Sequence, residues 1–433
     1  MAFAPGAVAR PLIRIPVPPG PAGLAALEPH LSAALDGSGP AIVPVPVAGL
    51  TVSSQFVQRV LDATRPDDPS APLEDDDIAV VMPTSGSTGS PRGVLHTSAS
   101  LQALSATVNG GGRPQWIAAL PLTSMGGFNV ALRAWHCGVT PIALASIGGA
   151  AAFTPAGFAD AVQQASRRSS DVRVALVAAQ LRRLLADDAG IEALSGCTQV
   201  LIGAGPVPSS TLQAARDAGI QVTRTYGATE TAGGCVYEGR ALPGVAISID
   251  GSHHDVRSDA DGSDDRLPGE VVIDGPMLAR GYRLQPQLTA ERFTAGGYRT
   301  GDLGRLEEGL LSIVGRMDDV IVIAGVNVAL GAVEAVIADL PDIASCAVVS
   351  FSGQTGEPEL AVLAVPREHQ RWAGDAPGLA ERIRDGVRMH LGGPAVPRRI
   401  ALTRTLPCLP NGKADRQAIA DAAGRMEGYP WQP

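Results

Sequence analysis

Short β-branched runs alternating with helix-spaced stretches organise the middle of the chain. Residues 78–82 are an apolar run of strand length that opens directly into small hydroxyl residues and glycines, the pattern of a buried strand followed by a loop. Similar runs at 115–120, 172–178 and 198–202 predict further strands, and 159–166, 180–187 and 210–218 carry helical spacing between them. This alternation predicts an α/β fold with a sheet covered on both faces. From Gly244 short strands and Gly-rich turns replace it, predicting a smaller β-rich subdomain over about 244–317. Beyond Asp318, helices at 332–338 and 378–390 with strands at 344–351 and 359–365 predict a compact α+β unit. The expected domains are a large N-terminal one of layered α/β sheets, 1–317, and a small C-terminal one, 318–433.

Upstream of the first clear strand the pattern is weaker. To about residue 61, Pro/Gly-rich turns alternate with helix-like patches such as 22–35, and no catalytic signature stands out. Residues 65–77 are acidic, contain prolines and lack apolar period, so they read as an exposed linker.

Composition narrows the class. With 433 residues, 45% of them hydrophobic and 18% charged, the chain has material for two or more globular domains. Its net charge of −9 and the absence of any Lys/Arg cluster argue against nucleic acid as a partner. No stretch approaches the ~20 apolar residues of a membrane span, and the start lacks a signal-peptide apolar region, so a cytoplasmic location is expected. Cys137, Cys197, Cys235, Cys346 and Cys408 are scattered without metal-ligand spacing and read as reduced thiols in or near the core. His253-His254 reads as a solvated pair in a polar loop. Nothing in the pattern sets the oligomeric state, and a homo-oligomer stays open.

The strongest chemical signal follows the first strand: Thr84-Ser85-Gly86-Ser87-Thr88-Gly89-Ser90-Pro91-Arg92-Gly93. Glycines permit close backbone approach, amides and hydroxyls can wrap phosphate oxygens, and Arg92 adds a cation. The register is not that of a Walker A loop. Downstream stand Thr225-Tyr226-Gly227-Ala228-Thr229-Glu230-Thr231, Tyr298-Arg299-Thr300-Gly301-Asp302, Val314-Gly315-Arg316-Met317-Asp318, and Leu409-Pro410-Asn411-Gly412-Lys413. Asp302 can accept two charge-assisted hydrogen bonds from vicinal hydroxyls. Glu230 is the kind of single carboxylate that holds magnesium together with phosphate oxygens. Lys413 follows a turn that exposes a point cation. Taken singly, each has a bland reading as a turn cap, a solvated acid or a surface lysine.

In this order the blocks resemble the adenylate-forming superfamily of acyl-CoA synthetases, peptide-synthetase adenylation domains and luciferases. The resemblance implies ATP, Mg2+ and coenzyme A as cofactor and co-substrates, with activation of a carboxylic acid as acyl-AMP and transfer to the thiol. It implies nucleotide contacts from Thr84, Ser85, Gly86, Ser87, Thr88, Gly89, Gly203, Ala204, Gly205, Pro206, Tyr226, Gly227, Asp302 and Arg316. Catalytic roles fall on Arg92, Thr229, Glu230 (also the magnesium ligand) and Lys413, and Asp318 takes the hinge of a mobile C-terminal lid. Three positions depart from the pattern: Arg92 replaces a Lys, Val322 stands where a Lys is common, and Ala324-Gly325 replaces a Gly-Gly pair.

For the acid, the short N-terminal part and Leu120-Pro121-Leu122-Thr123-Ser124-Met125-Gly126-Gly127 with Arg133 resemble the 2-succinylbenzoate–CoA ligases of menaquinone synthesis. The segments around Gln180, Gly233 and Val326-Asn327-Val328 do so too. A second carboxylate in the substrate would need a partner when buried, which makes Arg133 the candidate, with Ser124, Gln180 and Gly233 lining the same pocket. Ser124 departs from the His or aromatic residue common there. The alternatives are another aryl or fatty acid–CoA ligase, a stand-alone adenylation domain loading a carrier-protein thiol, and a nucleotide-binding protein without catalysis.

Overall fold

Residues 10–49, 52–84, 91–251, 268–323, 326–353, 357–367, 375–407, 414–423 and 429–430 are described in a computed structural model. The chain divides into two compact units. The first runs to Val207 and resumes over Thr211–Ile247 and Val272–Thr300; the second takes Pro208–Ser210, Ser248–Val271 and the chain from Gly301. The division thus falls at Gly301, ahead of the Asp318 boundary expected from the sequence.

The first unit opens with β1 (Leu12–Val17), α1 (Pro21–Asp36), β2 (Ala41–Pro46), α2 (Ser54–Thr64), β3 (Ile78–Pro83) and β4 (Gly93–Thr97). Next come α3 (Ser98–Gln102), α4 (Ser105–Asn109), β5 (Gln115–Ala118), α5 (Met125–His136), β6 (Ile142–Ala143), α6 (Pro155–Ser166), β7 (Val172–Leu176), α7 (Ala178–Leu185) and α8 (Asp188–Ser195). β8 (Gln199–Ile202), α9 (Ser209–Asp217), β9 (Val222–Ala228), β10 (Gly233–Tyr237), β11 (Arg240–Ala241), β12 (Ala246–Asp250), β13 (Gly269–Asp274), β14 (Gly281–Tyr282), α10 (Pro286–Arg292) and β15 (Phe293–Thr294) follow.

Two sheets result. One has the order β1-β2-β3-β4-β14, the other β11-β10-β9-β8-β7-β5-β6. In the second sheet β6, β5, β7, β8 and β9 are mutually parallel, and β10 turns back antiparallel on β9. Trp116, Val174, Leu176 and Ile202 from its strands pack with Val130, Phe158 and Leu181 from helices in one continuous apolar core. The residues that follow β8 and β9 are therefore held at strand carboxyl ends, where open α/β sheets offer their loops to ligands.

β1 and β2 correct the reading of the first 61 residues as turns and helix patches. Pro44 and Pro46 disguise β2, since proline lacks the donor a central strand needs. The structure admits them because β2 meets β3 only at Ile42↔Val80, so both prolines lie past that rung while pairing in register with Ile15 and Val17 of β1. The reading of 65–77 as an exposed linker is corrected too. Ala71 and Leu73 are buried, and the guanidinium of Arg283, fully buried itself, donates to the carbonyls of Thr64, Ala71 and Pro72 and to the Glu74 carboxylate. A cation removed from water needs such acceptors.

The second unit contains most of β16 (Gly297–Glu307) and its antiparallel partner β17 (Leu310–Arg316), then the hairpin of β18 (Val320–Ile323) and β19 (Val326–Ala329). After α11 (Leu330–Asp339), the strands β20 (Ile343–Ser352) and β21 (Pro358–Pro366) lead to α12 (Ala376–Leu391), β22 (Arg399–Leu402), α13 (Arg416–Ala423) and β23 (Tyr429–Pro430). These strands form a sheet in the order β20-β21-β22-β23. Val333, Ile337, Val348, Val362, Leu379 and Ile383 make its core with α11 and α12.

Cys137, Cys197, Cys235 and Cys346 are free thiols, and burial pushes Cys197 up to about 12 and Cys235 to about 11. Cys408 and His253-His254 lie outside the described residues. Among the described residues no helix is long and apolar enough to cross a membrane.

Candidate active site

The loop after β3 is closed at its base by its own backbone. Thr84 N donates to the Arg92 carbonyl (2.8 Å) and Arg92 N donates to Thr84 Oγ1 (3.1 Å), so the two ends of the phosphate-loop candidate are fastened together. Ser85, Gly86, Ser87, Thr88 and Gly89 lie outside the described residues. The guanidinium of Arg92 stands 5.7 Å from the centre of the Tyr282 ring, a cation–π contact. Gly93 has no room for a side chain, since a Cβ there would meet Val81 Cγ1 at 2.8 Å.

Glu230 sits in a 3-10 turn, Thr229–Thr231, that follows β9. It is 8% exposed, and its Oε1 accepts a 2.9 Å hydrogen bond from the Tyr282 hydroxyl. Its backbone carbonyl accepts from Ala279 N at 2.9 Å. The Thr229 carbonyl lies 2.8 Å from Nε2 of the fully buried His96. A carbonyl can only accept, so Nε2 carries the proton there. Burial draws the His96 pKa down to about 4, which keeps the ring neutral. Thr231, also buried, closes the turn, its hydroxyl bonding the Gly233 carbonyl at 2.8 Å.

This arrangement suits magnesium. The ion takes one or two protein carboxylates plus phosphate oxygens and keeps much of its water, and no hydrogen bond to Glu230 Oε2 is found among the described residues. Among those residues there is no cluster of three or more His, Cys, Asp or Glu of the kind that cages a metal unaided.

Two glycines shape the neighbouring strand pair. A Cβ on Gly227 would meet the Gly233 carbonyl at 2.0 Å, and one on Gly233, at φ 92°, would meet Asn129 Nδ2 at 2.3 Å. Asn129 donates to the Ala232 carbonyl and so joins α5 to this turn. Tyr226 is half-buried in β9, opposite Val236. Gly203, Ala204, Gly205 and Pro206 follow β8, with Ala204 in the left-handed region at φ 69°; the last three are exposed.

On the acid side, Ser124 occupies the residue before α5, and its hydroxyl donates to the Pro121 carbonyl at 2.7 Å. Gln180 is committed at both ends of its amide, donating to the Ala119 carbonyl and accepting from Val177 N, so it fixes where β5 ends and α7 begins. Arg133 is 6% exposed in the last turn of α5, with its guanidinium 5.8 Å from the Trp116 ring. No ion pair of Arg133 is found among the described residues.

In the second unit, Arg316 bridges two predicted residues. Its Nη1 lies 3.0 Å from Asp302 Oδ1, across the β16–β17 pair, and its Nε lies 2.8 Å from Asp318 Oδ1. Buried Glu270 supports the turn before Asp302 by accepting from Gly301 N at 2.9 Å. Arg416, at the start of α13, pairs with Asp319 and Glu334. Lys413, Ala324 and Gly325 lie outside the described residues. Tyr282, His96, Asn129 and Glu270 escaped sequence reasoning; a histidine inside the apolar run 93–97 was the one visible sign.

Residues 31–283 match the AMP-binding enzyme family and residues 332–413 match the AMP-binding enzyme C-terminal domain; the chain belongs to this family of adenylate-forming enzymes. Among curated relatives, a probable 2-succinylbenzoate–CoA ligase of Mycobacterium tuberculosis is 34% identical over 93% of this chain and 96% of its own. A 2-succinylbenzoate–CoA ligase of Geobacillus kaustophilus is 29% identical over 89% of this chain and 75% of its own. The structure of an O-succinylbenzoate coenzyme A synthetase from Bacillus subtilis, in complex with AMP, is similar with TM-score 0.68 at 21% identity, covering 96% of this chain and 89% of that one, a likeness of fold.

Proposed function

We propose that this chain is an AMP-forming acid–CoA ligase acting on 2-succinylbenzoate. In the first half-reaction the acid carboxylate attacks the α-phosphorus of ATP, forming acyl-AMP and releasing pyrophosphate. In the second the thiol sulfur of coenzyme A attacks the acyl carbon, the thiol proton leaves, and AMP departs. Thr84 to Gly89 and Arg92 receive the phosphates, Tyr226, Gly227 and the Gly203 to Pro206 segment flank the adenosine, and Asp302 with Arg316 takes the ribose. Thr229 touches phosphate, and Glu230 holds magnesium, which supplies charge neutralisation on the phosphate oxygens when bound. Lys413 offsets the charge that builds as the carboxylate attacks.

The observation that carries the choice of acid is the buried Arg133 without an ion-pair partner among the described residues. A buried guanidinium is best served by an anion, and Arg133 shares α5 with Asn129, whose amide meets the turn after Glu230. A dicarboxylic acid brings the missing charge. Pyrophosphate release from ATP and magnesium, with coenzyme A present, tests the proposal across 2-succinylbenzoate, benzoate, a medium-chain fatty acid and amino acids. Turnover confined to 2-succinylbenzoate is expected. Turnover with a monocarboxylic acid instead would discard the acid assignment, and no release with any acid would discard the ligase.

A further inference from the structure

We propose that the Tyr282 hydroxyl is a positioning group for the metal-binding carboxylate: it holds Glu230 Oε1 so that Oε2 alone is presented to magnesium. The inference rests on the reading of Glu230 given above and extends it to a residue outside the recognised motifs. Tyr282 is 2% exposed and its hydroxyl donates 2.9 Å to Glu230 Oε1. A phenol keeps its proton at neutral pH, so facing a carboxylate oxygen the hydroxyl is the donor.

The position of Tyr282 suits this task. It lies in β14, paired with Val94 of β4, the strand that leaves the phosphate-loop candidate. Its ring faces the Arg92 guanidinium at 5.7 Å and the Phe293 ring edge-on at 5.5 Å. Ala279, three residues earlier, fastens the Glu230 carbonyl. One short segment, 279–282, therefore grips Glu230 by backbone and side chain while contacting the cation at the end of the loop. A carboxylate fixed through one oxygen binds a hard cation through the other, which matches the one-carboxylate habit of magnesium.

The test is nucleotide binding by the full-length protein, measured by calorimetry with MgATP and with AMP in EDTA, for wild type and Tyr282→Phe. Phenylalanine keeps the ring against Arg92 and Phe293 and deletes the hydroxyl with its bonds to Glu230 and Tyr298. MgATP should bind about ten-fold more weakly and need correspondingly more magnesium, the usual scale for losing a hydrogen bond to a charged group, while AMP affinity and the melting temperature stay at wild-type values. In Glu230→Gln, adding Tyr282→Phe should cause no further loss of MgATP affinity, because the two residues act as one unit. Unchanged MgATP binding, an equal loss for AMP and MgATP, an additive double variant, or a Tyr282→Phe chain that does not fold would each overturn the inference. If wild type itself binds ATP without regard to magnesium, the reading of Glu230 fails as well, whereas normal wild-type behaviour with an indifferent Tyr282→Phe removes the tyrosine alone.

Discussion

Arg316 Nη1 and Asp302 Oδ1 stand 3.0 Å apart as direct cross-strand partners in β16 and β17. The pairing fixes one oxygen of the Asp302 carboxylate, and a carboxylate accepts hydrogen bonds more strongly than a neutral group. If Asp302 receives the ribose, its value should show in sugar discrimination. Asp302→Asn is expected to raise the KM for ATP by about ten-fold or more and to erase the preference for ATP over 2′-deoxy-ATP and 3′-deoxy-ATP. Steady-state kinetics with the three nucleotides reads this directly; retained discrimination would move the ribose away from Asp302.

Lys413 is assigned to the first half-reaction only. Lys413→Ala should lower acyl-AMP formation by about 10²–10³, the usual effect of losing one donor to a developing anion, and largely spare attack of coenzyme A on supplied acyl-AMP. Rapid-quench measurement of the two steps separates them, and equal loss in both would end the assignment.

Arg133 carries the specificity argument. Arg133→Met keeps the apolar stem against Trp116 and removes the charge. The KM for 2-succinylbenzoate should rise about ten- to a hundred-fold, as when a desolvated charge loses its partner, with that for benzoate nearly unchanged. A fall in melting temperature with no such split would make the residue a support for Trp116.

His96 gives the fold a defined acid sensitivity. Its pKa falls from 6.5 to about 4 through burial, so below pH 6.5 the unfolded chain takes up a proton that the native ring refuses. The stability this contributes is complete above pH 6.5 and drains away as pH falls toward 4, a total of roughly 3 kcal/mol. Urea unfolding from pH 7.5 to 4.5 should show a slope in this window that is absent in His96→Gln.

The repeating strand–helix units were legible because strands buried on both faces write themselves as apolar runs, and the structure returns β3, β5, β7 and β8 within a few residues of those runs. β1 and β2 were not, because their prolines contradict strand propensity and are tolerated only where the ladder to β3 stops. Motif residues such as Glu230 and Asp302 stood out through their order along the chain. Tyr282 and Glu270 did not, since each reaches a residue distant in sequence, Glu230 or Gly301, and such a bond leaves no local pattern. Arg133 showed its residue type in the sequence, but its seclusion from water appears only once α5 is packed.

The clasp of Arg283 on residues 64–74 bears on how far this protein can be trimmed. Ile78 begins the first strand of recognisable pattern and looks like a natural place to cut. A fragment starting there would leave the guanidinium beside Tyr282 in the interior with nothing to bond to, and would remove β1 and β2 from the sheet that carries the loop. The plain opening segment is thus a plug seated from behind, and any minimal version of the enzyme has to keep it.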